Sequence, residues 1–233
     1  MESRFWVVVP AAGSARRMGA TVPKQYLPLA GRTVIEWSLA PFLAHARTAA
    51  VVVVLADQDQ RWVQTSAAGD PRVVTTSGGV ERMDSVLAGL RALQDRAAPN
   101  DWMLVHDAAR PCLSGIDLDR LLNEVNDDAV GGLLAAPVVD TLKRADDSER
   151  VSQTVPREKL WRALTPQMFR YDLLRRAIEN ARTRGVAVTD EAQAVEALGF
   201  QPKLVAGDSD NIKITLPEDL PRAERILKSR SAT

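Results

Sequence analysis

Apolar residues along this chain fall into two alternating patterns: short unbroken runs, and longer stretches where they recur every three or four positions. The runs at 5–9, 50–55, 72–76, 102–106 and 131–139 predict strands, most of them apolar enough to be buried on both faces of a sheet. Between them the spacing predicts helices over 33–44, 81–94 and 114–126. The first opens on a capping box, Thr33 with Glu36, ahead of Ile35, Leu39 and Phe42. The second places Met83, Val86, Leu87, Leu90 and Leu93 on one face, and Ser114 caps the third. Further on, the pattern predicts helices over 170–184 and 190–198, the latter capped near Thr189, and strands near 202–206 and 211–215. A last helix starts at about 217 behind a Thr215 and Glu218 capping box. Alternation of this kind means an α/β fold with a mostly parallel sheet covered on both sides, and ligands held beyond the carboxyl ends of its strands.

Residues 137–160 break the rhythm. Two charged, strand-like stretches flank the turn-like Asp146, Asp147 and Ser148, which reads as a hairpin with little apolar face of its own. Such a hairpin is marginal alone in water and needs something to lean on; a second copy of the chain is the simplest partner. On pattern alone, a mobile surface loop fits equally well.

Composition narrows the class further. The 233 residues suit one domain, 1–233, with a sizeable core. Thirty basic and thirty acidic side chains cancel, and aromatics make up 5%, which argues against a nucleic-acid or membrane-surface binder. The single Cys112 and two histidines exclude a disulfide framework and a Cys/His zinc cluster. No run is long enough to span a bilayer and no signal segment is visible, so the expectation is a cytoplasmic protein.

Candidate chemistry gathers where strands should end. After the first run come Pro10, Ala11, Ala12 and Gly13, whose bare backbone suits close approach of a ligand, then the cations Arg16, Arg17 and Lys24. Together they suit a flat polyanion such as a nucleoside triphosphate, although neither common phosphate-loop spacing is present and solvated surface charges fit about as well. Gly78 and Gly79, with Ser85 one to two turns later, offer amides and a hydroxyl to a base edge, or form an ordinary tight turn. Asp107, just past a buried run, could take Mg²⁺ or merely cap a loop. Arg157, Lys213, and the segments around Thr141, Thr165 and Thr189 are each weak singly. No nucleophile–base arrangement stands out, so covalent catalysis is not indicated.

Taken in order, these segments resemble one family. Pro10-Ala-Ala-Gly-x-x-x-Arg17-Met18, Pro23-Lys24-Gln25, Gly78-Gly79-x-x-Arg82-x-x-Ser85-Val86 and His106-Asp-Ala-Ala-Arg-Pro111 match the 2-C-methyl-D-erythritol 4-phosphate cytidylyltransferases. So do Asp140-Thr141-x-Lys143, Thr165-Pro-Gln167, Thr189-Asp-Glu-Ala192 and Asn211-Ile-Lys213-x-Thr215. The resemblance implies a Rossmann-like nucleotidyltransferase sheet with a projecting β-arm, 137–160, exchanged between two subunits. It implies transfer of CMP from CTP to 2-C-methyl-D-erythritol 4-phosphate with Mg²⁺, and release of pyrophosphate.

By the same resemblance, Pro10, Ala11, Ala12, Gly13, Gly79, Val80 and Ser85 surround cytosine and ribose, while Arg17 and Lys24 grip the triphosphate and stabilise charge at the α-phosphorus. Asp107, Ala108, Arg110, Thr141, Arg157, Thr165 and Lys213 meet the polyol phosphate, with Arg157 and Lys213 on its phosphate and Asp107 and Asp210 as metal ligands. Arg157 and Thr141 lie in or beside the arm, so each site is expected to borrow from its neighbour. Two positions depart from the family's habit: Ala15 where glycine is frequent, and Val80 where relatives carry a polar residue. A cytidylyltransferase for another polyol phosphate, such as ribitol 5-phosphate, is the alternative, and would differ around Asp107, Arg157, Thr165 and Lys213.

Overall fold

A computed structural model of the chain describes residues 4–13 and 22–231. Among the described residues eleven strands and six α-helices follow one another: β1 (Phe5–Pro10), β2 (Pro28–Leu29), β3 (Arg32–Thr33), α1 (Val34–Ala44), β4 (Thr48–Leu55), β5 (Val73–Ser77), α2 (Arg82–Arg91), β6 (Trp102–Val105) and α3 (Gly115–Val125). Then come β7 (Gly131–Pro137), β8 (Leu142–Ala145), β9 (Val151–Val155), β10 (Trp161–Arg170), α4 (Tyr171–Thr183), α5 (Glu191–Glu196), β11 (Lys203–Ala206) and α6 (Asp219–Ser231). Seven strands form one sheet in the order β11-β7-β10-β6-β1-β4-β5. All neighbours pair parallel except β10, which runs antiparallel to both β6 and β7.

Period-two alternation on β1 divides the core. Phe5, Val7 and Val9 face α1 and α3, packing with Leu39, Phe42, Leu118 and Leu121. Val8 faces the other way, with Leu87 and Leu90 of α2 and Leu174 and Ile178 of α4. Strand order reverses at β1, with β4 and β5 built to one side and β6 to the other. In open α/β sheets such a reversal marks the crevice beyond the carboxyl ends of the strands where ligands sit. A third cluster packs α6, through Ala223, Ile226 and Leu227, against Leu29, Val34, Cys112, Ile212 and Ile214. No helix among the described residues is long and apolar enough to cross a membrane.

Most predicted elements are present, and α1 has the expected capping box: Thr33 Oγ1 accepts from the Glu36 N–H, and Glu36 accepts from the Thr33 N–H. Four expectations need correction. β10 was not predicted, because Arg162, Thr165 and Pro166 mask a strand whose buried run starts only at Leu164. No strand forms at 211–215, where Ile214 N–H bonds to Ala109 O instead of to a ladder. The last helix starts at Asp219, whose carboxylate accepts from the N–H groups of Thr215 and Leu216, rather than behind a Thr215 and Glu218 box. Asp190, not Thr189, caps α5 by accepting from Gln193 N–H.

The hairpin stands as β8 paired with β9, closed by Asp146, which accepts from the N–H groups of Ser148 and Arg150. Residues 139–163 are exposed apart from the half-buried Leu142 and Val155.

Gly89 brings α2 close to the sheet. A Cβ there would sit 2.5 Å from Val8 Cγ1 and 3.0 Å from Val54 Cγ2, in stiff β-branched side chains. Alanine normally stabilises a helix interior by about 1 kcal/mol over glycine. The clash wins here, so Gly89→Ala should lower unfolding free energy by about 1–3 kcal/mol in urea titration. An unchanged or raised midpoint would show that α2 can retreat from β1 freely.

Candidate active site

The crevice between β1 and β6 holds a cavity of about 250 Å³. Its lining comes from four loops that the sheet brings together: Pro10 to Gly13 after β1, Gly79 to Ser85 into α2, Asp107 to Ala109 after β6, and Lys213 before α6, joined by Lys24 and Gln25. Of the residues singled out from sequence, Pro10, Ala11, Ala12, Gly13, Lys24, Gly79, Val80, Ser85, Asp107, Ala108 and Lys213 all line it. Arg17, like Arg16 and Ala15, lies outside the described residues.

The two glycines are needed for packing. A Cβ on Gly78 would stand 2.5 Å from Ala12 Cβ and 2.7 Å from Ser85 Oγ, and one on Gly79 would stand 2.2 Å from Asp84 Cβ. The first and second loops therefore press together with only hydrogen between them. Gly79 N–H donates to Ser85 Oγ, which also lies within bonding distance of Glu81 O. Gln25, buried, donates to Ala11 O at 2.7 Å and so braces the first loop from behind. Val80 is fully exposed at the rim.

Asp107 is the electrostatic centre. Its Oδ1 lies 3.2 Å from Arg82, and its Oδ2 lies 2.8 Å from Lys213 Nζ and 3.5 Å from Arg110 Nε. Burial works against its ionisation, but the charges of Arg82, Lys213 and Arg110 outweigh it and hold the carboxyl below the ordinary range. Lys213 reaches it because Ile212 and Ile214 are buried beneath α6, which turns the residue between them to the cavity. Lys24 Nζ donates to Ile214 O at 2.9 Å, tying the first cation to the same loop.

Behind Asp107 stands a relay. His106 Nε2 lies 3.1 Å from Arg110 O, and a carbonyl can only accept, so this nitrogen carries the proton. Nδ1 therefore accepts from the Thr165 hydroxyl at 3.0 Å, and Thr165 Oγ1 accepts the Asp107 N–H at 3.1 Å. A register shift in β10 between Ala163 and Gln167 puts Thr165 there. Thr165 was expected to meet substrate; it is buried, with its hydroxyl committed to His106 and Asp107, and does not line the cavity. Arg110 likewise sits beneath the floor, donating to Asn211 O at 2.7 Å.

Three other expected residues are not brought to the cavity. Thr141 and Arg157 are exposed on the arm, where Arg157 donates to Val139 O. Asp210 does not line the cavity; its backbone N–H bonds to the carboxylate of Asp208, which pairs at 2.8 Å with Arg230 of the last helix. Asp107 is thus the one lining carboxylate among the described residues, where no group of three or more His, Cys, Asp or Glu could cage a metal. A hard cation that takes most of its oxygens from phosphates and water still fits beside a single carboxylate.

Sequence reasoning missed Arg82, Gln25 and Ala109 as lining residues, and Glu191 behind Arg82. Their signal was present, since all four fall inside motifs already singled out. With Lys24, Arg82 and Lys213 lining it and a single carboxylate among them, the cavity is built to hold a polyanion against amides and fixed cations.

A family model described as 2-C-methyl-D-erythritol 4-phosphate cytidylyltransferase matches residues 5–229. A protein of that name from Pseudomonas aeruginosa is 56% identical over 222 residues, spanning 95% of each chain. Another, from Pseudomonas putida, is 56% identical over 217 residues, 93% of this chain and 92% of its own. Among solved structures, the Francisella tularensis enzyme of that name has a TM-score of 0.84 at 31% identity, covering 96% of this chain and 100% of the other. Its Thermus thermophilus counterpart has a TM-score of 0.80 at 35% identity, covering 97% and 99%.

Burial pushes His106 down from 6.5 to about 4. Between those values the unfolded chain binds a proton that the folded chain refuses. The contribution of His106 is therefore complete above pH 6.5 and declines as pH falls toward 4, by roughly 3 kcal/mol. Urea midpoints followed across that window should fall steeply in the wild type and less steeply in His106→Gln. Equal slopes would contradict the neutral relay.

Proposed function

The chain belongs to the 2-C-methyl-D-erythritol 4-phosphate cytidylyltransferase family, and from that premise we infer that it transfers CMP from CTP to 2-C-methyl-D-erythritol 4-phosphate and releases pyrophosphate. It is a nucleotidyltransferase of isoprenoid precursor synthesis. The observation that carries the reading is the convergence of the Pro10–Gly13 loop, Lys24, the Gly79–Ser85 turn, Asp107 and Lys213 on one cavity at the strand-order reversal.

The chemistry follows from charge. A phosphate monoester has its second pKa near 6, so the attacking oxygen is ionised at neutral pH and needs no general base. Its obstacle is repulsion from the triphosphate that it must approach in line. In this reading Lys24, joined by Arg17, neutralises the triphosphate, while Lys213 holds the incoming phosphate. Asp107 then orients the polyol through its hydroxyls. The Gly79 and Val80 backbone and Ser85 read the cytosine, where amide contacts and close packing leave little room for a purine. Positioning and fixed cations supply most of the rate. Mg²⁺ would arrive with most of its ligands drawn from the triphosphate and water and would neutralise phosphate charge, with Asp107 as the one described lining carboxylate beside it.

The arm extends the reading to a homodimer. It exposes Val139, Val151, Leu160 and Trp161, and it carries Arg157 and Thr141 away from the cavity of their own chain. Pairing two arms would bury these side chains and bring Arg157 to the neighbour's acceptor phosphate. The reaction's need for CTP goes with a cytoplasmic location.

Pyrophosphate release should require CTP and methylerythritol phosphate, with UTP, ATP, GTP and ribitol 5-phosphate poor substitutes. Turnover only with the ribitol compound, or only with a purine triphosphate, would overturn the reading. Lys24→Ala should lower kcat by about a hundred-fold or more while weakening CTP binding far less; equal losses would remove its role in the transition state. Sharing of sites has its own test. Lys24→Ala and Arg157→Ala proteins, each inactive, should on mixing and reassortment recover about a quarter of wild-type activity, since half the dimers then hold one intact site. No recovery, with mixed dimers demonstrated, would place Arg157 in its own chain's site.

A further inference from the structure

Glu191 opens α5, and its side chain is wholly buried. A carboxylate without solvent needs a charged partner, because leaving it unpaired is costly. The partner is Arg82, the first residue of α2: its Nη1 and Nη2 lie 2.6 and 3.2 Å from the two Glu191 oxygens. The other edge of the same guanidinium, Nε and Nη2, lies 3.2 Å from Asp107 Oδ1. One planar fork thus joins a carboxylate behind the cavity wall to the carboxylate inside it. Burial works against the charge on Arg82, but Glu191 and Asp107 more than restore it.

The start of α5 is pinned on both sides of Glu191. On one side of it Asp190 accepts from Gln167 Nε2 at 3.0 Å, and on the other Ala192 N–H donates to Gln167 Oε1 at 2.7 Å, both contacts to a buried residue of β10. The carboxylate is therefore a fixed stop. Asp107, by contrast, is shared: Oδ1 faces Arg82 while Oδ2 faces Lys213. Oδ2 also lies 3.5 Å from Arg110 Nε, so without Arg82 on Oδ1 the carboxylate is left to cations on one oxygen only.

We propose that Glu191 is a positioning residue for the transfer: by seating one edge of Arg82 it sets the other edge against Asp107, and so fixes the Asp107 carboxylate relative to Lys213 and the polyol phosphate. The proposal rests on the reading of this cavity as the transferase site. The nucleotide side is braced separately, through Gln25 on Ala11 and Lys24 on Ile214. The acceptor side should therefore suffer alone.

Glu191→Gln keeps shape and one acceptor but removes the charge. It should lower kcat/KM for the polyol phosphate about ten-fold or more while KM for CTP stays within about two-fold. Arg82→Lys, which keeps a charge but cannot serve two carboxylates with one fork, should show the same split. It carries the test if Glu191→Gln does not fold. In an Asp107→Asn background, Glu191→Gln should cost little more, because what it positions is already lost. Wild-type kinetics in both single variants, parallel losses for CTP and acceptor, or fully additive losses with Asp107→Asn would overturn the proposal. A wild-type chain that transfers nothing to any polyol phosphate would refute the functional reading instead. Exchange protection of the Arg82 Nε–H, followed by ¹⁵N NMR, would then decide the positioning: it should be present in the wild type and lost in Glu191→Gln, and equal protection in both would overturn it.

Discussion

A single carboxylate at the end of a buried strand sets the terms for much of this structure. Asp107 sits beyond β6 with little contact with water, where an unpaired charge would cost several kcal/mol. It is made tolerable by cations drawn from three places in the chain: Arg82 at the head of α2, Arg110 in its own loop, and Lys213 in the segment before α6. Each of these is held in turn. Glu191 backs Arg82, Asn211 O takes Arg110, and Ile212 and Ile214 anchor Lys213 beneath the last helix. The segments that close the cavity are thus bound to one another through one ionised group.

The sheet makes that meeting possible. Because strand order reverses at β1, the loops after β1 and β6, which lead to α1 and α3 on one face, meet the turn that leads into α2 on the other, and together they frame the crevice that Asp107 looks into. The antiparallel β10 then slides beneath it and delivers Thr165 to the Asp107 N–H, with His106 locked neutral by burial as the next acceptor. Rigidity on this side contrasts with the exposed hairpin of β8 and β9, which carries chemistry-bearing side chains but buries almost nothing. That division leaves the floor of the site preorganised, and it is the proposed homodimer that would supply the remaining wall.

Much of this was legible beforehand. Hydrophobic spacing located the strands and helices around β1, β4, β6 and α1 to α4, since faces and caps are local properties of three or four residues. Motifs at strand ends named eleven of the residues that line the cavity. Where the reading failed, distance was the reason. β10 looks polar at its start because its first residues lie at the sheet's rim, and Pro166 disguises the rest. The alternation at 211–215 is real, but it comes from packing under α6 rather than from a ladder. Thr165 and Arg110 share motifs with contact residues yet support Asp107 from below, and Asp210 does not reach the cavity.

By itself, then, the sequence determined the α/β class, the loops that would gather, the kind of ligand they suit and the family they resemble. Each of these depends on residue type and short-range spacing. Tertiary structure alone decided which cation meets which oxygen of Asp107, that Thr165 and Glu191 stand behind the site, and that the arm leaves its own cavity. Glu191 and Arg82 lie 109 positions apart. A buried ion pair across that separation is selected by which strands become neighbours, and no local pattern encodes it.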